Sequence, residues 1–104
     1  MARFDVYANP LTSERHETPF LLDVQNEFIA GLATRVVIPL RSESLFGPRA
    51  RDLNPLVSVA DSAVVLDTAA MGAIPLRLLS QRVGNLHHEQ LQIQSALDTL
   101  FGAY

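Results

Sequence analysis

The sequence predicts an α+β fold, mainly β, with an antiparallel sheet and one C-terminal α-helix. Up to about residue 79, apolar residues alternate with polar ones or run in short β-branched blocks, which is typical of strands. After Gly84 the apolar spacing changes to three and four residues, which is typical of an amphipathic helix. Because the strands are consecutive and the helix follows them, the order indicates an α+β domain or a small barrel.

The first predicted strand covers residues 3–7 and is half-buried, since Phe4 and Val6 fall on one face and polar residues on the other. Further strands are predicted at 20–24, 34–40 and 71–79, and a hairpin at 56–60 and 63–68 with Asp61 and Ser62 as its turn. Pro39 has no N–H for a sheet hydrogen bond, so we expect it at a strand end or a bulge.

The terminal helix is predicted over about residues 86–101. Asn85 suits the N-cap, and Gly102 suits the position just after the helix, where a left-handed backbone is common. Leu100 continues the apolar stripe and is expected in the core or in a dimer interface. Phe101 fits burial and target contact equally well.

Composition limits the possible functions. A chain of 104 residues with 48% apolar and 18% charged residues predicts one folded domain, 1–104. No apolar run approaches the ~18 residues that span a bilayer, and the N-terminus lacks a signal peptide's apolar stretch. With no cysteine there is no disulfide framework, so we expect a cytoplasmic protein without membrane contact. A net charge of −3 without a basic cluster gives no support for nucleic acid as the main ligand.

Residue chemistry favours a binding protein over an enzyme. His87 and His88 are adjacent, so on a helix they point about 100° apart and suit a surface turn better than a metal site. His16 reads as an exposed loop residue, and Asp67-Thr68 as a turn. No phosphate-binding loop, nucleophile elbow or paired acidic motif occurs. We therefore predict no catalytic residue, no metal and no cofactor.

The order of several segments resembles the CcdB family of toxins. They are "FDVY" at 4–7, "LDVQ" at 22–25, "RVVIPL" at 35–40, "LNPLVSV" at 53–59 and "DTAAMGAIP" at 67–75, followed by a helix that ends in Phe101. The resemblance covers essentially the whole chain. It implies an SH3-like small barrel of the CcdB/MazF type that assembles as a homodimer.

The resemblance also implies a function. Such proteins are toxins of type II toxin–antitoxin modules; they bind the A protein of DNA gyrase, called gyrase A below, and trap the gyrase–DNA cleavage complex, without catalysis of their own. A CcdA-like antitoxin folds a disordered segment over the toxin and neutralises it. DNA is met only through gyrase or the antitoxin, and the module is associated with transcription regulation as a repressor.

Carried over by position, the gyrase-facing residues are Asn26, Phe28, Asp98, Phe101, Gly102, Ala103 and Tyr104. The chain departs here from the best-known family ending, Phe-Trp-Gly-Ile, because Gly102 stands where the Trp is expected. Ala103 and Tyr104, beyond the helix, are expected to be exposed. The departure leaves three possibilities: weaker poisoning of gyrase, a contact rebuilt around Tyr104, or a lost or changed target.

The second polar loop supplies the predicted antitoxin contacts: Arg41, Leu45, Phe46, Arg49 and Arg51. Its arginines could pair with carboxylates, and its two large apolar residues could receive apolar anchors. The loop at 8–17 is a second candidate. The alternative functions are a MazF-like endoribonuclease toxin, which the net charge disfavours, and a CcdB homologue with little or no gyrase activity.

Overall fold

One curled antiparallel sheet organises the molecule. The computed structural model describes residues 2–27, 29 and 31–102. Within that part of the chain the strands are β1 (Asp5–Ala8), β2 (Phe20–Asp23), β3 (Thr34–Ser42), β4 (Leu56–Val59), β5 (Ser62–Leu66), β6 (Gly72–Pro75) and β7 (Arg82–Asn85). The helices are α1 (Glu43–Phe46) and α2 (Gln90–Phe101), and short 3-10 turns cover Thr12–Glu14, Thr68–Ala70, Leu76–Leu78 and His87–Glu89. The predicted fold class is confirmed.

The strand order is β4-β5-β3-β2-β1-β7, and β6 adds to β3 beside β5. The two outer strands of this order, β4 and β7, line a common cavity of about 120 Å³ at Ser58–Ala60 and Val83–Asn85, so the sheet curls into a half-barrel. β3 is the branch point, because its first half pairs with β6 and its second half with β5.

Pro39 lies inside β3, whereas the sequence suggested a strand end or a bulge. The pairing with β6 ends at Val37 and the pairing with β5 begins at Leu40. The Pro39 carbonyl accepts a hydrogen bond from the Asp67 N–H over 3.0 Å. The N and the carbonyl of a strand residue face the same edge of the strand, so the Pro39 nitrogen faces the edge where β6 ends and β5 begins. The missing N–H therefore costs little of the hydrogen bonding between the strands.

The middle of the sheet is buried on both faces at β1 and β2, which corrects the half-buried prediction for the first strand. Val6, Leu22 and Ile38 face the main core, which α2 covers with Ile93 and Leu97. The opposite face carries a smaller apolar cluster of Tyr7, Leu21, Val37 and Leu79, with Ile74 packed against it. Its neighbours Asp5, Asp23 and Arg35 are also buried, so this second face holds charges as well.

Several predicted boundaries shift. The hairpin turn consists of Ala60 and Asp61, which have φ values of +49° and +64°, one residue earlier than expected. Positive φ at both turn residues matches the twist of two-residue hairpins. Asn85 accepts from the His87 N–H over 2.7 Å and so starts a 3-10 turn, after which α2 begins at Gln90. β7 was not predicted from the sequence.

Among the described residues no helix is long and apolar enough to cross a membrane.

Candidate functional site

Phe101, the last residue of α2, holds its aromatic ring in solvent. Ile93 and Leu97 lie on the buried face of the helix, whereas Phe101 is 69% exposed. Gly102 closes the last turn with φ +71°, and its N–H donates to the Asp98 carbonyl over 2.8 Å. A left-handed glycine here is a common way to end a helix. Phe101 is therefore presented on a complete last turn, while its neighbour Leu100 is half-buried.

Asp98 lies in that last turn and is half-buried. Its Oδ1 accepts a hydrogen bond from Gln94 Nε2 over 3.2 Å, an i, i+4 pair along the helix surface. A carboxylate near a helix C-terminus is destabilising, because the free carbonyls there carry partial negative charge. No basic side chain of this last turn offsets it. Asp98 is therefore a carboxylate that the stability of α2 does not require.

The segment after β2 carries the other half of the predicted gyrase surface. Asn26 is exposed, and its carbonyl accepts a hydrogen bond from the Ile29 N–H over 3.1 Å. The Gln25 N–H donates to Asp23 Oδ1 over 3.0 Å, so the segment turns away from the strand at once. Phe28, predicted from the sequence, lies outside the described residues, as do Ala103 and Tyr104.

A buried ion pair holds the base of this segment. Arg35 donates to both oxygens of Asp23 over 2.9 Å, and the two side chains are only 7% and 0% exposed. Arg35 also donates to the Gln25 carbonyl over 3.1 Å, and Gln25 Oε1 accepts from the Val36 N–H over 3.0 Å. Gln25 Nε2 is buried and has no hydrogen-bond partner among the described residues. These contacts fix the two ends of the connection 26–33.

Sequence reasoning missed this pair, although a signal was present. Asp23 ends "FLLD" and Arg35 begins "RVVIPL", so each interrupts a run of apolar strand residues. A charged residue in a strand that is otherwise apolar is rarely buried without a partner. Two such residues of opposite sign, each in a predicted strand, therefore indicated a pair.

A second polar cluster surrounds Asp5 on the same face of the sheet. Its carboxylate accepts from Arg82 Nε over 2.8 Å, from Asn85 Nδ2 over 3.0 Å and from the Ala2 N–H over 2.9 Å. Burial acts to raise the pKa of Asp5, but the hydrogen bonds from Asn85, Arg82 and Ala2 and the charge of Arg82 outweigh it and lower the pKa below 3.8. Burial also raises the pKa of the Tyr7 phenol, with help from nearby carboxylates.

The Asp5 cluster makes folding sensitive to acid. Because the pKa of Asp5 is lower in the folded chain, its contribution is present above about pH 4 and is lost as the pH falls through the folded pKa. We expect Asp5→Asn to lower the free energy of unfolding at neutral pH and to flatten its decline below about pH 4. Urea denaturation at a series of pH values measures this. A curve parallel to that of the wild type would contradict it.

The predicted antitoxin residues fall into two separate places. Arg41 pairs with Asp67 over 3.0 Å and donates to Thr18 Oγ1 over 2.6 Å; together with Leu45 and Phe46 it lines a cavity of about 370 Å³. The other place is a groove of about 480 Å³ between the segment 49–56 and the first half of α2, lined by Arg49, Arg51, Asp52, Pro55, Leu56, Leu91, Gln92 and Ser95. No local pattern in the sequence indicates this division.

Within the groove the two arginines differ. Arg49 Nη1 donates to the Asn54 carbonyl over 2.9 Å and so holds its own loop together. Arg51 is exposed, and no hydrogen bond or ion pair joins it to the described residues. Leu91, on the helix side, is 82% exposed. An unpaired guanidinium beside an exposed leucine suits an acidic segment with an apolar anchor.

Two of the remaining candidate groups, Thr68 and Asp67, serve the fold. Thr68 is buried, and its hydroxyl donates to the Leu53 carbonyl over 2.6 Å. The Asp67 carboxylate forms a salt bridge with Arg41. His16, His87 and His88 are exposed. Among the described residues no group of three or more His, Cys, Asp or Glu side chains could hold a metal ion.

A known protein family matches the chain over nearly its whole length. The family model described as "CcdB protein" matches residues 3–102 of the chain. The chain belongs to the CcdB family. CcdB proteins are toxins of toxin–antitoxin systems, and their target is DNA gyrase. The match includes both halves of the candidate site, the segment after β2 and the end of α2, up to Gly102.

The residue that follows the last turn of α2 differs from the one that the family resemblance leads us to expect. Gly102, which the family resemblance places at the position of the tryptophan, has a left-handed backbone that ends the helix. The nearest large aromatic side chain among the described residues of α2 is Phe101, which is exposed. Among the described residues, the aromatic surface at the end of α2 is therefore that of Phe101.

Proposed function

We propose that the chain binds gyrase A, traps the gyrase–DNA cleavage complex and catalyses no reaction itself. The observation that carries the proposal is the exposed ring of Phe101 on a capped last turn of α2. Moving an aromatic ring of this size from water into a protein pocket contributes about 1.5–3 kcal/mol. One exposed ring on a rigid element is typical of a residue that dominates a binding interface.

The other proposed gyrase contacts belong, by their position in the sequence, to the segment after β2 or to the last residues of the chain. They are Asn26, Phe28, Asp98, Gly102, Ala103 and Tyr104. Asp98 supplies a carboxylate that the helix itself does not need, which suits a basic group on gyrase. The contact is thus built from an aromatic ring and a carboxylate, without the tryptophan of the best-known pattern.

We also propose a homodimer as the active unit and a CcdA-like antitoxin as its inhibitor. The antitoxin contacts are Arg41, Leu45, Phe46, Arg49 and Arg51. Of these, Arg51 is best suited to an incoming carboxylate, because it is exposed and makes no ion pair with the described residues. Arg41 is less available to an antitoxin carboxylate, since it already donates hydrogen bonds to Asp67 and Thr18.

Reversing the charge of Arg51 tests the antitoxin proposal. We expect Arg51→Glu to weaken binding of a peptide from the C-terminal segment of a CcdA-like antitoxin about fivefold to tenfold, because an attraction becomes a repulsion of similar size at an exposed site. Isothermal titration calorimetry measures it. Arg77→Glu makes the same charge change at an exposed arginine outside the groove and should bind normally. Equal weakening by both variants would point to net charge alone and contradict an Arg51 contact.

Three assays run side by side test the proposed function. The purified chain is added to gyrase and relaxed plasmid, to gyrase and plasmid under cleavage conditions, and to single-stranded RNA. We expect inhibited supercoiling and accumulated double-strand breaks, with intact RNA. RNA cleavage without any effect on gyrase would instead indicate a MazF-like endoribonuclease, and no effect in any assay would indicate a homologue that has lost this target.

A further inference from the structure

The chain makes a strained turn just before β1. The Asp5 N–H donates to the Ala2 carbonyl over 3.1 Å, and Phe4, inside this turn, has φ +72°. That backbone region favours glycine and is costly for a bulky residue. Phe4 is nevertheless buried, and its N–H donates to the Asp23 carbonyl over 2.7 Å. Backbone strain that the surroundings hold in place occurs preferentially at functional sites.

The turn places Arg3 between the two halves of the proposed gyrase surface. The Arg3 guanidinium lies 4.7 Å from the centre of the Phe4 ring. Its Nε donates to the Val24 carbonyl over 3.0 Å, at the base of the segment that carries Asn26. Its Nη2 reaches Gln94 Oε1 over 3.5 Å on α2.

Gln94 continues the connection along the helix. While its Oε1 faces Arg3, its Nε2 donates to Asp98 Oδ1 over 3.2 Å. A continuous series of polar contacts thus runs from Val24 through Arg3 and Gln94 to Asp98. In this series Arg3 reaches the segment of Asn26 through Val24 and reaches Asp98 through Gln94, so it acts on both through intermediates.

We infer that Arg3 is a positioning residue that holds the segment after β2 and the end of α2 in one fixed arrangement for gyrase. The inference rests on the proposed function. Arginine suits the task because its planar group donates in two directions while it stacks on an aromatic face. Lysine has a single donor centre and cannot make both contacts with the same geometry. Fixing both halves before binding lowers the ordering cost of association.

Arg3→Met is the direct test, because methionine keeps the unbranched stem over Phe4 and removes both donors. We expect affinity for purified gyrase A to fall about tenfold, as for the loss of one to two hydrogen bonds. Binding of the antitoxin peptide and the thermal unfolding midpoint should stay close to those of the wild type. Amide hydrogen exchange at Gln25 and Asn26 should become faster, which a role in general stability would not produce selectively.

Arg15→Met is a matched control. Arg15 makes the same kinds of contact on another loop, with its Nε donating to the Asn9 carbonyl over 2.7 Å and its Nη2 to Gln81 Oε1 over 3.3 Å. Because that loop bears none of the proposed gyrase residues, Arg15→Met should bind gyrase normally. A tenfold loss in both variants would overturn the inference.

A double-mutant cycle separates positioning from direct contact. If Arg3 acts through Gln94, Gln94→Met should weaken gyrase binding in the wild type and add little in the Arg3→Met background. Additive effects, or unchanged exchange at Gln25 and Asn26 in Arg3→Met, would overturn the inference. Failure of the wild-type chain itself to bind gyrase would instead reject the proposed function, so the two failures are distinguishable.

Discussion

Replacing Arg35 by methionine is expected to lower the free energy of unfolding by about 3–5 kcal/mol, because it leaves the Asp23 carboxylate buried without its cation. Asp23 is fully buried and Arg35 nearly so, and each is hydrogen-bonded to the other twice. Asp23→Leu should lower the free energy of unfolding by a similar amount, because it leaves the Arg35 guanidinium buried without its anion. Urea denaturation at neutral pH, followed by circular dichroism, measures both.

The double variant Asp23→Leu/Arg35→Met distinguishes a lost partner from lost packing. Apolar replacement of a whole buried pair is often neutral or stabilising, so the double variant should regain most of the stability that either single variant loses. Arg41→Met is the comparison, because the pair of Arg41 with Asp67 is 33% and 23% exposed, so its loss should lower the free energy of unfolding by less than the loss of Arg35 does. A double variant as unstable as the sum of the singles would contradict this account.

Phe101→Ala is expected to weaken binding to gyrase A about tenfold to a hundredfold, corresponding to the burial of one aromatic side chain. Because Phe101 is 69% exposed, the free energy of unfolding should change by less than about 0.5 kcal/mol. Surface plasmon resonance with immobilised gyrase A and denaturation curves give the two quantities. The same variant should require correspondingly more protein to inhibit supercoiling.

Leu91→Ala provides the comparison for Phe101→Ala. Leu91 is on the same helix and even more exposed, at 82%, but lines the groove with Arg51 instead of the end of α2. We expect Leu91→Ala to bind gyrase normally and to bind the antitoxin peptide less well. If Leu91→Ala weakened gyrase binding as much as Phe101→Ala, the proposal that the end of α2 forms the centre of the contact would be wrong.

Local patterns predicted most of the fold. Alternation and β-branched runs located β1 to β5, and Gly102 ends α2 as expected. The strand predicted at 71–79 is shorter in the structure, since β6 ends at Pro75 and a 3-10 turn follows at Leu76–Leu78. β7 was missed because "RVGN" has one apolar residue, and its pairing with β1 depends on a partner about 80 residues away in sequence. The length of β3 was underestimated for a similar reason, since Arg41 and Ser42 read as loop residues but pair with β5.

The site could be predicted only in its individual residues. The sequence identified Phe101 but could not decide between burial and exposure, because Phe101 fits the spacing of the apolar stripe. The sequence could not indicate that Arg3 donates hydrogen bonds to both Val24 and Gln94, because those contacts depend on the turn at Phe4. A positive φ at phenylalanine has no local signal in sequence, since it is imposed by tertiary contacts.

The left-handed backbone at Gly102 has a consequence for how this C-terminus can evolve. Space around the glycine is open, yet any side chain there must adopt a conformation that costs about 1–2 kcal/mol for an L-residue. A single codon change from glycine to tryptophan would therefore place the ring on a destabilised helix end. Acquiring the best-known family ending would require the last turn to be rebuilt at the same time, which makes the glycine a barrier to that exchange.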